Sequence, residues 1–241
     1  YTYRGNDALQ QYNYDRDYNR ILEEVLRGVN TDWLSKPLRT GIGHKHVLYL
    51  EGGDESFRYG VDFSYNNVKG VMKGSERNTV SGGITFSYRY KNILLKNNLE
   101  VIYNKGINSP WGEFSTYARM NPYFRPKDDM GKVNKFFEGT VVTGATIPNP
   151  IWNTTINTSD FSEYSQFTNN FYLEWLLSWG GKVTGRISIS RNDSGSEIFH
   201  PASHTDFIDY SEEDSNRKGT YEYGDGNNFD LAADINANYS K

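Results

Sequence analysis

The sequence has no cysteine among its 241 residues, which removes disulfide frameworks, thiol nucleophiles and cysteine-ligated metals at once. Long apolar runs are also missing. Ile93-Leu94-Leu95 and Trp175-Leu176-Leu177 are among the longest, far short of the roughly 20 residues a spanning helix needs. A membrane is not excluded by this, because barrel strands need only about 9–11 residues and alternate instead of running continuously. There is no basic block, and a formal net charge of −4 gives little electrostatic reason to expect a nucleic-acid partner. The chain opens Tyr1-Thr2-Tyr3-Arg4 with neither Met nor a charged-then-apolar leader, and so reads as a stretch of a longer protein.

Aromatic residues are plentiful: 19 Tyr, 13 Phe and 5 Trp make up 15% of the chain, against a mean hydropathy of −0.75. Aromatic and β-branched residues favour strands, and the Asn, Ser, Thr and Gly between them favour turns. An all-β fold is expected. One helix interrupts it, from Asp15 to Arg27, where Tyr18, Ile21, Leu22, Val25 and Leu26 recur on one helical face. Asp15 or Asp17 is placed to cap its start and Gly28 its end.

Beyond the helix the period becomes two. In Phe57-Arg58-Tyr59-Gly60-Val61-Asp62-Phe63-Ser64-Tyr65 every odd position is aromatic or apolar and every even one polar or glycine, which sends the two sets to opposite faces of a strand. Seven strands are expected: Lys45 to Gly52, Phe57 to Asn66, Thr79 to Tyr90, Ile93 to Asn104, a hairpin starting near Asn170 and returning through Val183 and Ile189, and Phe229 to Tyr239. The connections alternate, short at 53–56, 91–92 and 179–182, long at 67–78, 105–169 and 191–228. Short and long turns therefore fall on opposite ends of the sheet.

An up-and-down sheet with that asymmetry is the signature of an outer-membrane barrel, with the odd face of the 57–65 strand on lipid and Arg58, Gly60, Asp62 and Ser64 lining a wet interior. Tyr65, Tyr90, Tyr103, Trp179 and Tyr239, near strand ends, fit the aromatic girdles of such barrels. The alternative is a secreted or surface β-sandwich, a soluble ligand-binding module in which the same face packs on a second sheet. Alternation alone does not separate the two.

A succession of short motifs bears on the choice: Asn30-Thr31-Asp32-Trp33, Arg39-Thr40-Gly41, His46 followed by Leu48 and Glu51-Gly52-Gly53, then Gly70-Val71-Met72-Lys73-Gly74-Ser75, and later Asn149-Pro150-Ile151-Trp152-Asn153. In that order and spacing the chain resembles the SusC/RagA family of TonB-dependent outer-membrane transporters of Bacteroidetes. Val47 departs from the Asn often found there, and Ser35-Lys36-Pro37 replaces a more acidic run. The resemblance implies part of a 22-stranded transmembrane barrel closed by a plug, energised through TonB, covered by a SusD-like lipoprotein and importing oligosaccharides or peptides. Residues 1–43 would then be a helical and loop segment of the barrel domain, and 44–241 a partial barrel with long extracellular loops. The signal peptide, the carboxypeptidase-like extension, the TonB box, the plug and the closing C-terminal strand are expected to lie outside this stretch.

No catalytic centre is legible, and no cofactor or metal is assigned. His44 and His46 are two apart and His200 and His204 four apart, spacings that suit a metal, but no third ligand is evident and Pro201 with Ser203 suggests a loop. Asp206, Asp209, Glu212, Glu213 and Asp214 lack the spacing of a calcium loop and read as a solvated charge run. Gly180-Gly181 and Gly82-Gly83 precede no helix and so cradle no phosphate. The candidate substrate contacts are the loop aromatics Trp111, Tyr117, Tyr123 and Trp152, whose flat rings can stack on sugar or peptide groups, or else pack the loops together.

Overall fold

A computed structural model of the chain describes residues 8–137, 146–211 and 213–239. Helix α1 (Ala8–Leu26) comes first, followed by seven strands: β1 (Ile42–Gly53), β2 (Phe57–Lys69), β3 (Glu76–Tyr90), β4 (Ile93–Ile107), β5 (Ser159–Leu176), β6 (Gly181–His200) and β7 (Thr220–Tyr239), with a short helix α2 (Phe114–Ala118) between β4 and β5. The strands form one antiparallel sheet in the order β1-β2-β3-β4-β5-β6-β7. This is an up-and-down barrel segment with an N-terminal helix. Among the described residues no helix is long and apolar enough to cross a membrane.

The register explains the alternation. Leu50, Val61, Ile84, Leu99, Asn169, Ile189 and Leu231 stand side by side across all seven strands, and Leu48, Phe63, Gly82, Val101 and Phe167 occupy the neighbouring row. Directly behind them Tyr49, Asp62, Gly83, Glu100, Thr168, Ser190 and Asp230 form a polar row on the other face. The apolar face is bare: Val61 is 40% exposed, Phe63 47% and Ile84 49%. The companion sheet of the sandwich alternative is not among the described residues.

The polar face is closely packed where glycine allows it. A Cβ on Gly83 would stand 2.4 Å from Asp62 Oδ1, so that carboxylate lies flat across the neighbouring strand. In the β1–β2 turn Gly53 has φ +133 and a Cβ there would meet the Phe57 carbonyl oxygen at 2.1 Å, so the tight turn excludes a side chain.

Turn lengths alternate as expected, but the long connections are shorter than 67–78, 105–169 and 191–228. They span 70–75, 108–158 and 201–219. The strands run past the apolar rows into stretches where both faces are polar, such as Glu163-Tyr164-Ser165 opposite Asp193-Ser194-Gly195. Hydrophobic alternation vanishes there, while the backbone ladder continues, aided by Tyr103 Oη donating to Glu163 at 2.8 Å and Asn108 Nδ2 to Asp160 at 2.9 Å. The β5–β6 turn occupies 177–180, and Gly181 already belongs to β6. β1 begins at Ile42 instead of Lys45.

Helix α1 departs from expectation at its start and in its orientation. It begins at Ala8, well before Asp15 and Asp17, so neither caps it; Asp15 instead accepts from Gln11 Nε2 one turn back, at 2.8 Å. Gly28 does end it, with φ +76 and a Val29 N–H to Glu24 carbonyl bond of 3.0 Å, the Schellman pattern. Of the expected apolar face only Ile21 packs on the core, whereas Tyr18, Leu22, Val25 and Leu26 are exposed and Asp17 and Glu24 are buried. The reason is the surface beneath: Arg125 meets Glu24 at 3.0 Å, so the helix turns its charged side inward.

Candidate functional site

Apart from Leu94 in β4, the buried apolar residues among those described lie in the connections and not in the sheet. Trp33, Tyr117, Phe124, Phe137 and Ile151 cluster together, with Ile21, Trp111, Met120, Val133 and Ile147 packed around them. All of these come from the segment before β1 and from the 108–158 connection, on the end of the sheet that carries the long turns. A layer of mutually docked loops is thereby built at that end.

The sequence motifs prove to be its fasteners. The Thr31 N–H and hydroxyl donate to the carbonyls of Pro122 and Phe124 at 2.8 and 2.9 Å, and the Trp33 indole donates to the Asn121 carbonyl at 2.9 Å. Arg39 spans the 70–75 turn, its Nε on the Gly70 carbonyl at 3.0 Å and its Nη2 on the Ser75 carbonyl at 2.8 Å. From that turn Lys73 Nζ donates to the Lys36 carbonyl at 2.5 Å and lies 4.8 Å from the centroid of Trp111. Asn149 is 2% exposed; its amide donates to the Pro126 carbonyl at 3.0 Å and its carbonyl accepts from the Ile151 N–H at 3.1 Å. Trp152 and Asn153 reach the 201–219 connection, through the indole on the Ser203 carbonyl at 2.9 Å and the amide on the Thr205 hydroxyl at 2.7 Å. Each is a polar group satisfied inside a partly dry layer, where leaving it unmatched would cost about 1–3 kcal/mol.

The four aromatic candidates occupy three places. Trp111 and Tyr117 are together, with ring centroids 6.2 Å apart. Tyr117 is 1% exposed, stands 6.5 Å from Trp33 and donates to the Pro150 carbonyl at 3.3 Å; burial pushes its hydroxyl pKa well up. Tyr123 is half-buried on a solvent-open concavity of about 240 Å³ between α1 and the 108–158 connection. Charged groups line that concavity, including Arg20, Glu23, Arg27, Lys127 and Asp129. Nearby, Asp128 accepts from the Lys132 N–H at 2.8 Å, the Asn134 amide at 3.2 Å and the Met130 N–H at 3.0 Å. The Lys132 bond above all holds its carboxyl below the usual range. Trp152, also half-buried, sits at the junction with the 201–219 connection.

The histidine pairs separate. His44 and His46 point the same way from β1 with ring centroids 5.4 Å apart, beside Tyr65. His200 and His204 stack at 4.0 Å with planes 9° apart, and Asp206 joins them. Burial lowers the His204 pKa, against the pull of Asp206. Asp206 is the residue that sequence reading assigned to the charge run and missed as a neighbour of the histidines; its spacing of two from His204 was the available signal. In the rest of that run Asp214 accepts from the Ser211 hydroxyl at 3.2 Å and lies 3.4 Å from Arg217, as solvated charges do. Glu212 lies outside the described residues.

No family model matches the chain, and no curated protein matches it. Solved structures do. The RagAB peptide transporter aligns with a TM-score of 0.59 at 16% identity, over 72% of this chain and 20% of that one. The RagAB peptide importer in its open-open state aligns at 0.59 and 15% over 71% and 20%, and in its closed-closed state at 0.57 and 16% over 71% and 20%. At such identity the likeness is one of fold, and the chain spans about a fifth of the length of those it matches.

Proposed function

We propose that this chain is a stretch of the barrel of a TonB-dependent outer-membrane importer, of SusC/RagA type, that takes up peptides or oligosaccharides beneath a SusD-like surface lipoprotein. Residues 44–241 supply adjacent strands and loops of the barrel, and 1–43 is a helical and loop segment of the same barrel domain. One observation carries the reading: the register stacks apolar residues into rows on one face, with polar rows directly behind.

Aromatic residues border those rows. At the short-turn end Phe57 and Tyr88 lie 6.5 Å apart and Trp179 and Tyr239 5.6 Å apart. At the other end Tyr65 and Tyr103 flank Val80 in one row. From Val80 to Tyr90 a strand advances about 33 Å, which at a tilt of roughly 40° is about 25 Å in height, the height of a bilayer's apolar band. In this reading the loop layer faces the exterior and the polar face lines the lumen.

Trp111, Tyr123 and Trp152 are the proposed substrate contacts, with Tyr117 holding Trp111 in place from behind. The RagAB structures are described as those of a peptide transporter, which supports peptide as the first substrate class to test. Transport needs no catalytic group, since the energy is supplied from elsewhere. The experiment is fractionation of cells making the full-length protein, followed by uptake of labelled peptides and oligosaccharides. The reading expects the protein in the outer membrane, released by detergent, with uptake lost when the energising complex is deleted. Recovery from a washed soluble fraction contradicts it.

A further inference from the structure

We infer that His200, His204 and Asp206 form an acid-sensitive latch between the β4–β5 and β6–β7 connections: the stacked imidazoles accommodate one added proton, and the second opens the clasp around them. The latch rests on its own geometry and does not depend on what the protein carries.

Closed, the latch is a pair of flat rings inside a clasp. His200, the last residue of β6, and His204 stack at 4.0 Å with planes 9° apart. His204 is 7% exposed, and its Nδ1 accepts from the Asp206 N–H at 3.2 Å, capping the short 3-10 turn Thr205–Phe207. Its backbone N–H donates to the Pro201 carbonyl at 2.8 Å. On either side of it the β4–β5 connection takes hold. The Trp152 indole donates to the Ser203 carbonyl at 2.9 Å, the Asn153 amide donates to the Thr205 hydroxyl at 2.7 Å, and the Thr205 N–H donates back to the Asn153 amide oxygen at 3.2 Å.

Charge limits the pair to one proton. Asp206 Oδ2 lies 3.0 Å from His200 Nδ1 and 3.2 Å from His204 Nδ1, so one carboxylate serves both rings. It matches one imidazolium. Two would stand face to face against a single counter-charge whose side chain is 56% accessible to water, and like charges at that distance disfavour each other. The other charges at the pair are Lys135, from the β4–β5 connection, and beside it Lys218, from the end of the β6–β7 connection, both positive. Protonating His204 also takes the Nδ1 lone pair that the Asp206 N–H uses, and the cap is lost with it.

Burial above all, with His200 and Lys135, holds His204 below the ordinary imidazole value of about 6.5, against the pull of Asp206. A group depressed on folding stabilises fully above its unfolded value, and that stabilisation is lost as pH falls through the folded one. Acid therefore releases Trp152 and Asn153 from residues 203–205.

The test is hydrogen exchange by mass spectrometry on the full-length protein in detergent, each rate divided by the intrinsic rate at the same pH. Between about pH 7.5 and about pH 5.5, residues 149–155 and 201–208 should open about three- to tenfold more, tenfold per pH unit being the limit for one proton. Residues 31–33, fastened without a histidine, should not change. His204→Asn places an amide oxygen where it can cap the turn and takes up no proton, so it should abolish the acid response. His200→Asn removes the stacked like charge and should reduce the response. No acid response in wild type, or one of equal size in His204→Asn, would overturn the latch. If that variant does not fold, an undiminished response in His200→Asn overturns it instead.

Discussion

The indole of Trp152 donates to the backbone carbonyl of Ser203 at 2.9 Å, across 51 residues of sequence. That bond joins the β4–β5 connection to the β6–β7 connection, and Trp152→Phe removes it while keeping most of the ring. Residues 201–208 should lose about 1 kcal/mol of protection, roughly a fivefold rise in hydrogen exchange. Exchange mass spectrometry on the full-length protein reads this directly. Unchanged protection there would mean that the two connections are held by other contacts.

Asn149 is enclosed, with its amide and its carbonyl both matched to backbone. Asn149→Ala leaves the Pro126 carbonyl and the Ile151 N–H unpaired, at a cost of about 1–3 kcal/mol. Limited proteolysis should cut the 121–153 region faster in the variant, with the barrel strands still protected. Asn149→Asp should fail as a substitute, because a carboxylate cannot donate to Pro126.

Asp128 carries a pH dependence of known sign. Three donors hold its carboxyl below the ordinary value, first the Lys132 N–H. A carboxyl whose folded pKa is depressed stabilises fully above its unfolded value and loses that stabilisation as pH falls through the folded one. The 126–134 turn should therefore hold its exchange protection at pH 5 and lose it as the pH drops below about 4, the unfolded value. Asp128→Asn should remove the pH dependence, leaving lower protection at both.

The two faces of the sheet should respond oppositely to one added charge. Ile84 stands in the apolar rows and Thr85, its neighbour, in the polar ones. Ile84→Lys should destabilise the full-length barrel in bilayers by about 2–4 kcal/mol, as a lysine near the midplane does. Thr85→Lys should change stability by no more than about 0.5 kcal/mol. Urea unfolding from vesicles compares them.

Where one face is apolar and the other polar, as in β2, β3 and β4, alternation sufficed to place the strands and their order. The signal faded where Glu163, Asp193 and Asp225 take the positions that apolar residues hold lower on the same face, and there the strand ends were read as loop. Backbone pairing continues without a hydrophobic stripe, so periodicity cannot detect it. Helix α1 illustrates a different limit. Its apolar residues were visible, but its orientation depends on Arg125, far along the chain, meeting Glu24. Asp206 is a third case: its spacing of two from His204 was visible, but the local turn after Pro201 that also brings His200 to the same carboxylate was not.

The central claim is that the apolar face meets acyl chains and the face behind it meets water. The stretch contains no cysteine, so single cysteines at Val61, Ile84 or Leu99, and at Thr85, Asn98 or Ser188, give unambiguous spin-label positions in a full-length protein in native membranes once any cysteine outside the stretch is replaced by serine. Collision with dissolved oxygen and with a water-soluble nickel chelate is measured for each label. The account predicts that the first three relax with oxygen and ignore nickel, and that the second three do the reverse. Labels at Val61, Ile84 and Leu99 that are shielded from both, as beneath a packed protein layer, or that collide freely with nickel, would contradict it.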